Sequence, residues 1–233
     1  QMNNYFVILA AGKSKRFHKK IPKQFYNYKN KEIIEHSIEK SVNSKLFKKI
    51  VVVSNNLNRF KKKKYPKIVK IIKGGKERSD SSLIGLKYIK KFKPTNVLIH
   101  DAARPNFSIN LLKILINKLK KKNAVVPYVN SKDTIKYKSQ NQYFNLKRDK
   151  ALLTQTPQAF KFKHLYDLSF KKMEDITDEA ALFINNNQKI SFIKGEDANS
   201  KITYINDVKF NKTFFGIGFD IHKLIKNKKL YLG

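Results

Sequence analysis

Short apolar runs alternate with amphipathic stretches along most of the chain. The runs are continuous and of the length typical of parallel strands buried on both faces; they cover residues 5–10, 50–53, 68–72, 97–99 and 124–128. The stretches between them repeat apolar residues at helical spacing, which predicts helices over 34–42, 79–89 and 109–121. Ser79 or Asp80 is the expected N-cap of the second helix. The alternation predicts an α/β fold with a doubly wound, mostly parallel sheet.

The pattern changes between residues 131 and 148, where polar residues alternate with Ile135, Tyr137, Tyr143 and Phe144. Alternation with a period of two indicates extended strands, so we expect a β-hairpin arm that projects from the sheet. Helical spacing returns at 163–173 and 178–186, and a last strand is expected at 190–193.

Composition narrows the class of protein. The 233 residues are 41% hydrophobic, which is enough for a sizeable core. The chain has no cysteine, which excludes disulfides, a thiolate nucleophile and cysteine-bound zinc. No apolar run approaches the length of a membrane span, and residues 6–11 are too short for a secretory signal. We therefore expect a soluble cytoplasmic protein that has no membrane partner.

The formal net charge of +34 suggests a nucleic-acid partner, but the type of cation argues against one. Only five of the 51 basic residues are arginine, and the lysines are spread along the whole chain. This pattern favours a compositionally biased, solvated surface and no nucleic-acid partner, with a dedicated nucleic-acid face as the alternative. Where lysine is the default cation, an arginine indicates a place that needs a planar, bidentate donor.

Three loops follow predicted strands, at residues 11–24, 74–82 and 100–106. Ligands of such sheets bind beyond the carboxyl ends of the strands. Small residues in the first loop let backbone N–H groups approach an anion, although neither a Walker A motif nor a dinucleotide fingerprint is present. An ordinary strand-to-helix turn is the alternative there. In the third loop Asp101 suits Mg²⁺ and Arg104 suits a phosphate, with a structural Asp–Arg ion pair as the alternative.

Taken together, these segments resemble the 2-C-methyl-D-erythritol 4-phosphate cytidylyltransferases, whose fold is a Rossmann-like nucleotidyltransferase. The matching segments occur in family order over about residues 5–211: 9–12, Arg16, 22–24, 74–75, 77–78, 80–81, 100–105, 133–134, Arg148, 156–158, 177–180, Asn199, Lys201 and Thr203. One departure is Ser14, which stands where the family usually has a second glycine.

The resemblance implies that CMP passes from CTP to 2-C-methyl-D-erythritol 4-phosphate and that pyrophosphate leaves. It assigns catalysis to four residues, with the first two stabilising the transition state: Arg16, Lys23, Arg148 and Lys201. Asp101 would hold Mg²⁺ on the triphosphate. The cytidine and its phosphates would be held by Ala10, Ala11, Gly12, Lys13, Gly75 and Ser81. The acceptor would be positioned by Arg104, Thr134 and Thr156 together with Arg148 and Lys201.

The family also implies a homodimer in which the arm reaches the partner's site, so Thr134 and Arg148 would serve a second copy. No general base is required, because a phosphate oxygen is already a competent nucleophile. The alternatives are a cytidylyltransferase for ribitol phosphate or another sugar phosphate, and a basic nucleic-acid-binding protein on an inert transferase fold. The second alternative lacks any recognisable nucleic-acid-binding motif.

Residues 216–222 and 230–233 resemble the opening of 2-C-methyl-D-erythritol 2,4-cyclodiphosphate synthase. In that family the positions of Asp220 and His222 are Zn²⁺ ligands, although an Asp-x-His pair also occurs by chance. We therefore divide the chain into a cytidylyltransferase domain, 1–211, and the truncated start of a second domain, 212–233. Two ligands without a folded domain cannot hold zinc tightly, so we expect 212–233 to be a flexible extension without bound zinc or cyclase activity here.

Overall fold

The computed structural model describes residues 3–12, 17, 21–171 and 176–209. The strands in that part of the chain are β1 (Asn4–Leu9), β2 (Asn27–Tyr28), β3 (Lys31–Glu32), β4 (Lys49–Val53), β5 (Val69–Ile72), β6 (Asn96–Asp101), β7 (Ala124–Asn130), β8 (Ile135–Ser139), β9 (Gln142–Leu146), β10 (Leu152–Thr154), β11 (Gln158–Lys161) and β12 (Ser191–Lys194). The α-helices are α1 (Ile33–Asn43), α2 (Arg78–Lys90), α3 (Ile109–Lys118), α4 (Phe162–Leu168), α5 (Glu179–Asn185) and α6 (Asn206–Lys209). Short 3-10 turns cover Lys23–Phe25, Leu57–Phe60 and Arg148–Lys150.

An eight-stranded sheet runs through the centre in the order β10-β7-β11-β6-β1-β4-β5, with β12 paired to β7. Strand β1 is buried along its whole length, and its side chains alternate between two apolar layers. Phe6 and Ile8 pack with apolar residues of α1 and α3. Val7 packs on the opposite face with residues of α2, α4 and α5. The prediction of an α/β fold with helices on both faces of a mostly parallel sheet is confirmed.

Two strands of the sheet are antiparallel and were not predicted. Strand β11 lies between β6 and β7 and pairs antiparallel with both, and β10 pairs antiparallel with β7. Neither strand is longer than four residues, which is too short to show a hydrophobic period. The sheet is therefore mixed on one side of β6 and parallel on the other.

The arm is confirmed as a two-stranded hairpin, because β8 pairs antiparallel with β9 and Tyr137 stacks on Phe144 with ring centroids 5.1 Å apart. Its turn residues Gln140 and Asn141 both have positive φ, 46° and 61°, as a two-residue hairpin turn requires. Nearly all of its side chains are exposed. Among the described residues no helix is long and apolar enough to cross a membrane.

The ends of two helices differ from the prediction. Glu77, and not Ser79 or Asp80, is the N-cap of α2. Asp80 instead lies at the third helical position, where its Oδ2 accepts a hydrogen bond of 3.0 Å from the Glu77 N–H. Helix α3 ends at Lys118 although the apolar stripe continues to Leu119, whose buried side chain packs in the core from the C-cap position.

We expect Asp80→Ala to lower the free energy of unfolding by about 1 kcal/mol, because the Glu77 N–H loses its acceptor. Ser79→Ala is the matched control. Its side chain is exposed in the same turn, so its effect should stay within about 0.5 kcal/mol. Urea denaturation of both variants measures the difference. A larger loss in Ser79→Ala than in Asp80→Ala would contradict this account of the cap.

Candidate active site

The carboxyl ends of β1 and β6 lie side by side, because the two strands are parallel and Leu9 is opposite Asp101 in the register. A cavity of about 470 Å³ opens at this edge of the sheet. The predicted site residues that line it are Ala10, Ala11, Gly12, Lys23, Ser81, Asp101 and Lys201. Among the described residues, the cationic side chains that border it come from Lys23, Lys76, Arg78 and Lys201.

Gln24 shapes the loop that follows β1. Its side chain is 3% exposed, and its Nε2 donates to the carbonyl oxygens of Ala10 at 2.8 Å and Gly12 at 3.1 Å. The Ala10 N–H donates across to Val53 O at 2.8 Å. The backbone of residues 10–12 is thus held at the cavity rim by a buried amide, a role that the sequence motif did not reveal.

Gly75 and Ser81 hold the second loop against the first. Ser81 Oγ accepts from the Gly75 N–H and donates to Glu77 O, both at 3.1 Å. A Cβ on Gly75 would overlap the side chain of Asp80, and one on Gly74 would lie 2.6 Å from the Ala11 Cβ. Glycines are therefore required where the two loops meet. Ser81 reaches the cavity lining, whereas Gly75 contributes by fixing Ser81.

Asp101 is the charged centre of the cavity. Its Oδ1 accepts a hydrogen bond from Arg78 Nε at 3.0 Å, and its Oδ2 accepts one from Lys201 Nζ at 2.7 Å. Burial alone would raise the pKa of this carboxyl, but the charges and hydrogen bonds of Arg78 and Lys201 hold the pKa well below its usual range. Asp101 is therefore an ionised carboxylate.

The remaining N–H groups of the Arg78 fork face a second carboxylate. Nη1 and Nη2 of Arg78 each donate to one carboxylate oxygen of Glu179 at 2.9 Å. Glu179 is 3% exposed and begins α5. Burial opposes the charge on Arg78, yet Glu179 and Asp101 raise its pKa above the ordinary value. The arginine that pairs with Asp101 is therefore Arg78, and not Arg104 as in the structural alternative considered from the sequence.

Arg104 and Thr156 support the site from outside the cavity lining. Arg104 donates through Nη1 to Asn199 O at 2.8 Å and through Nη2 to Thr154 O at 3.2 Å. Thr156 is 4% exposed, and its Oγ1 accepts from the Asp101 N–H at 3.0 Å. These contacts orient backbone around Asp101; acceptor binding by the two residues stays a prediction.

Buried amides fix the segment that carries Lys201. Asn199 is fully buried and donates from Nδ2 to Thr156 O at 2.9 Å. Gln155 Nε2 donates to Glu196 O at 2.8 Å, and the Ile202 N–H donates to Ala103 O at 2.9 Å. Lys201 itself is 40% exposed. Its ammonium therefore extends from an anchored backbone into the cavity.

His100 precedes Asp101 but does not face the cavity. It is fully buried, and burial lowers its pKa to about 3. Its Nδ1 lies 3.2 Å from Thr156 Oγ1, and its Nε2 lies 3.2 Å from Ser37 Oγ and 3.1 Å from Arg104 O. The imidazole is neutral and serves as a connector between β6 and its neighbours.

Other predicted residues are not brought to this cavity. Thr134 and Arg148 are exposed on and beside the arm, and Arg148 Nη1 donates to Lys132 O at 3.2 Å. Four predicted residues lie outside the described part of the chain: Lys13, Arg16, Asp220 and His222. Within the described part, no group of three or more His, Asp or Glu side chains could hold a metal ion. Because Asp220 and His222 lie outside that part, zinc binding by these two residues stays a prediction.

Comparison with known proteins places the chain in one family. The family model for 2-C-methyl-D-erythritol 4-phosphate cytidylyltransferase matches residues 5–216. The chain is 50% identical to the "Bifunctional enzyme IspD/IspF" of Pelagibacter ubique, over 100% of this chain and 63% of that protein. It is 34% identical to the 2-C-methyl-D-erythritol 4-phosphate cytidylyltransferase of Thermosipho africanus, over 87% of this chain and 93% of that protein.

Solved structures with similar names share the fold of this chain. The crystal structure of 4-diphosphocytidyl-2C-methyl-D-erythritol synthase from Anaerococcus prevotii superimposes with a TM-score of 0.80 at 28% identity, covering 90% of this chain and 94% of that one. The bifunctional IspDF of Campylobacter jejuni gives 0.77 at 33% identity, covering 89% of this chain and 53% of that one. The chain thus spans between 53% and 63% of the length of these two bifunctional relatives. Both the residues matched and the shared fold confirm the resemblance: the chain belongs to the family of 2-C-methyl-D-erythritol 4-phosphate cytidylyltransferases.

Proposed function

We propose that the cavity beyond β1 and β6 is where this chain transfers CMP from CTP to 2-C-methyl-D-erythritol 4-phosphate, with release of pyrophosphate. The observation that carries the proposal is the ionised Asp101 between Arg78 and Lys201, at the centre of a cavity bordered by cations. A volume of about 470 Å³ suits a small ligand. The backbone at residues 10–12 would face the nucleotide.

The chemical demand is the stabilisation of negative charge at a crowded phosphorus while the attacking and leaving oxygens are held in line. Lys23 and Lys201 border the cavity, and their positive charges would stabilise that negative charge. Arg16 is a further predicted donor. The acceptor phosphate needs no general base. The buried, neutral His100 accordingly takes no part in proton transfer.

A divalent cation fits the donor set. Mg²⁺ in proteins commonly binds one or two carboxylates together with substrate phosphates, and Asp101 supplies one ionised carboxylate in the cavity. When bound, Mg²⁺ would neutralise charge on the triphosphate. Arg78 fixes the orientation of the carboxylate, and Lys201 remains the exposed partner that can reach a phosphate oxygen.

The intact protein would have a second activity. The bifunctional relative from Pelagibacter ubique matches this chain along its whole length, which supports assigning residues 212–233 to the start of a cyclodiphosphate synthase domain. Asp220 and His222 would then be zinc ligands only in the full-length fusion.

The direct test measures the release of pyrophosphate from CTP in the presence of Mg²⁺. Three kinds of acceptor are compared: methylerythritol phosphate, ribitol phosphate and sugar phosphates. We expect rapid release with the first acceptor. Asp101→Asn, which keeps the shape but removes the charge, should slow turnover by about 10² or more. Release with ribitol phosphate alone would refute the acceptor and leave the reaction class intact. No release with any acceptor would refute the proposed function.

We also propose that the chain forms a homodimer in which the arm completes the partner's cavity. Thr134 and Arg148 are exposed and lie outside the lining of their own cavity. Tyr143, near the tip of the arm, is 73% exposed, and Tyr137, Phe144 and Leu146 on the same hairpin are also exposed. Several exposed apolar side chains on one short hairpin are typical of a surface that another protein covers.

Co-expression of two inactive variants tests the exchanged arm. Lys201→Ala and Arg148→Ala should each lose about 10² or more of turnover as homodimers. In a mixed dimer one cavity combines an intact Lys201 with an intact Arg148. Random pairing should therefore recover about one quarter of wild-type turnover. Recovery no greater than the sum of the separate variants would show that each arm serves its own chain.

A further inference from the structure

The geometry points to Glu179 as a positioning residue of this site, which acts on Asp101 through the guanidinium of Arg78. The inference rests on the proposed function, because it concerns how the cavity binds a metal–nucleotide complex. Glu179 itself is not among the cavity's lining residues in the described part of the chain.

Two ion pairs that share the guanidinium of Arg78 support this role, because they connect Asp101 to Glu179. Arg78 uses Nε on Asp101 and both terminal nitrogens on Glu179, with all three distances between 2.9 and 3.0 Å. The bond to Glu179 is bidentate, the geometry in which a guanidinium holds a carboxylate most firmly. Arg78 is 25% exposed and Glu179 is 3% exposed, so solvent screens the pair only weakly.

Glu179 also sets the net charge around Asp101. Arg78 and Lys201 carry two positive charges, and Asp101 alone would leave the cluster cationic. The second carboxylate makes the cluster neutral. A cationic cluster would repel a divalent cation from Asp101, so the charge of Glu179 preserves the affinity of Asp101 for one.

The helix that carries Glu179 is anchored independently of Arg78. Asp178 caps α5 by accepting from the Ala181 N–H at 3.0 Å, and its other oxygen accepts from Gln158 Nε2 at 2.7 Å. Gln158 Oε1 accepts in turn from the Ala180 N–H at 3.2 Å. Because Gln158 lies on β11, directly beside β6, the start of α5 has a fixed position relative to Asp101. Glu179 can therefore serve as a rigid anchor for the Arg78 side chain.

Manganese binding in the presence of CTP, followed by electron paramagnetic resonance, tests the inference without turnover. Mn²⁺ prefers the same oxygen ligands as Mg²⁺. We expect Glu179→Gln to weaken CTP-dependent Mn²⁺ binding by about tenfold or more, as removal of an outer-shell partner does at metal sites. The Mg²⁺ concentration for half-maximal turnover should rise by the same factor.

Glu35→Gln is the matched control, because it makes the same chemical change in an ion pair with Lys63 that contacts neither Arg78 nor Asp101. It should lower the Tm and leave Mn²⁺ affinity unchanged. A double-mutant cycle with Arg78→Met tests whether Glu179 affects Mn²⁺ binding through Arg78. If Glu179 acts through Arg78, adding Glu179→Gln to Arg78→Met should change Mn²⁺ affinity less than about twofold.

The outcomes separate the inference from the proposed function. Unchanged Mn²⁺ affinity in a folded Glu179→Gln variant would overturn the inference, as would an equal loss in both backgrounds of the cycle. Absence of CTP-dependent Mn²⁺ binding in the unmodified chain would also overturn it. CTP-dependent Mn²⁺ binding that Glu179→Gln weakens, without pyrophosphate release from methylerythritol phosphate, would support the inference and refute the proposed function.

Discussion

The ionised state of Asp101 is the constraint on which the rest of the site depends. Burial at the end of β6 disfavours a charged carboxylate, and the pKa is lowered only because Arg78 and Lys201 contact both oxygens. Arg78 lies on α2, and Lys201 follows Asp101 by 100 residues along the chain. The fold must therefore bring three distant segments to one sheet edge before Asp101 can be ionised there.

Uncharged side chains make most of the hydrogen bonds that hold these segments together. Buried amides of Gln24, Gln155 and Asn199 fasten the loops through backbone carbonyl oxygens, and Thr156 fixes the main chain of Asp101. Such contacts are insensitive to the charge of a bound nucleotide. The charged side chains of Asp101, Arg78 and Lys201 are thereby left to contact one another at the cavity.

Much of this arrangement could be predicted from the sequence, for physical reasons. Strands β1 and β6 are continuous apolar runs because both faces of the sheet are covered, and their polar ends therefore mark the ligand edge. Strand β11 could not be predicted, because four residues carry no period. The pairing of Arg78 with Glu179 spans 101 positions, so no local pattern encodes it. The scarcity of arginine did indicate bidentate contacts, and Arg78 makes one; Arg104, in contrast, contacts two backbone carbonyl oxygens.

A crystal structure of the chain with Mn²⁺ and a non-hydrolysable CTP analogue would test the central claim most directly, because anomalous scattering locates the metal without assumption. The account predicts a manganese peak within coordination distance of an Asp101 carboxylate oxygen, with the Arg78–Glu179 pair retained and the nucleotide phosphates beside Lys23. A manganese ion bound by the phosphates away from Asp101, or a nucleotide bound outside the cavity, would contradict it.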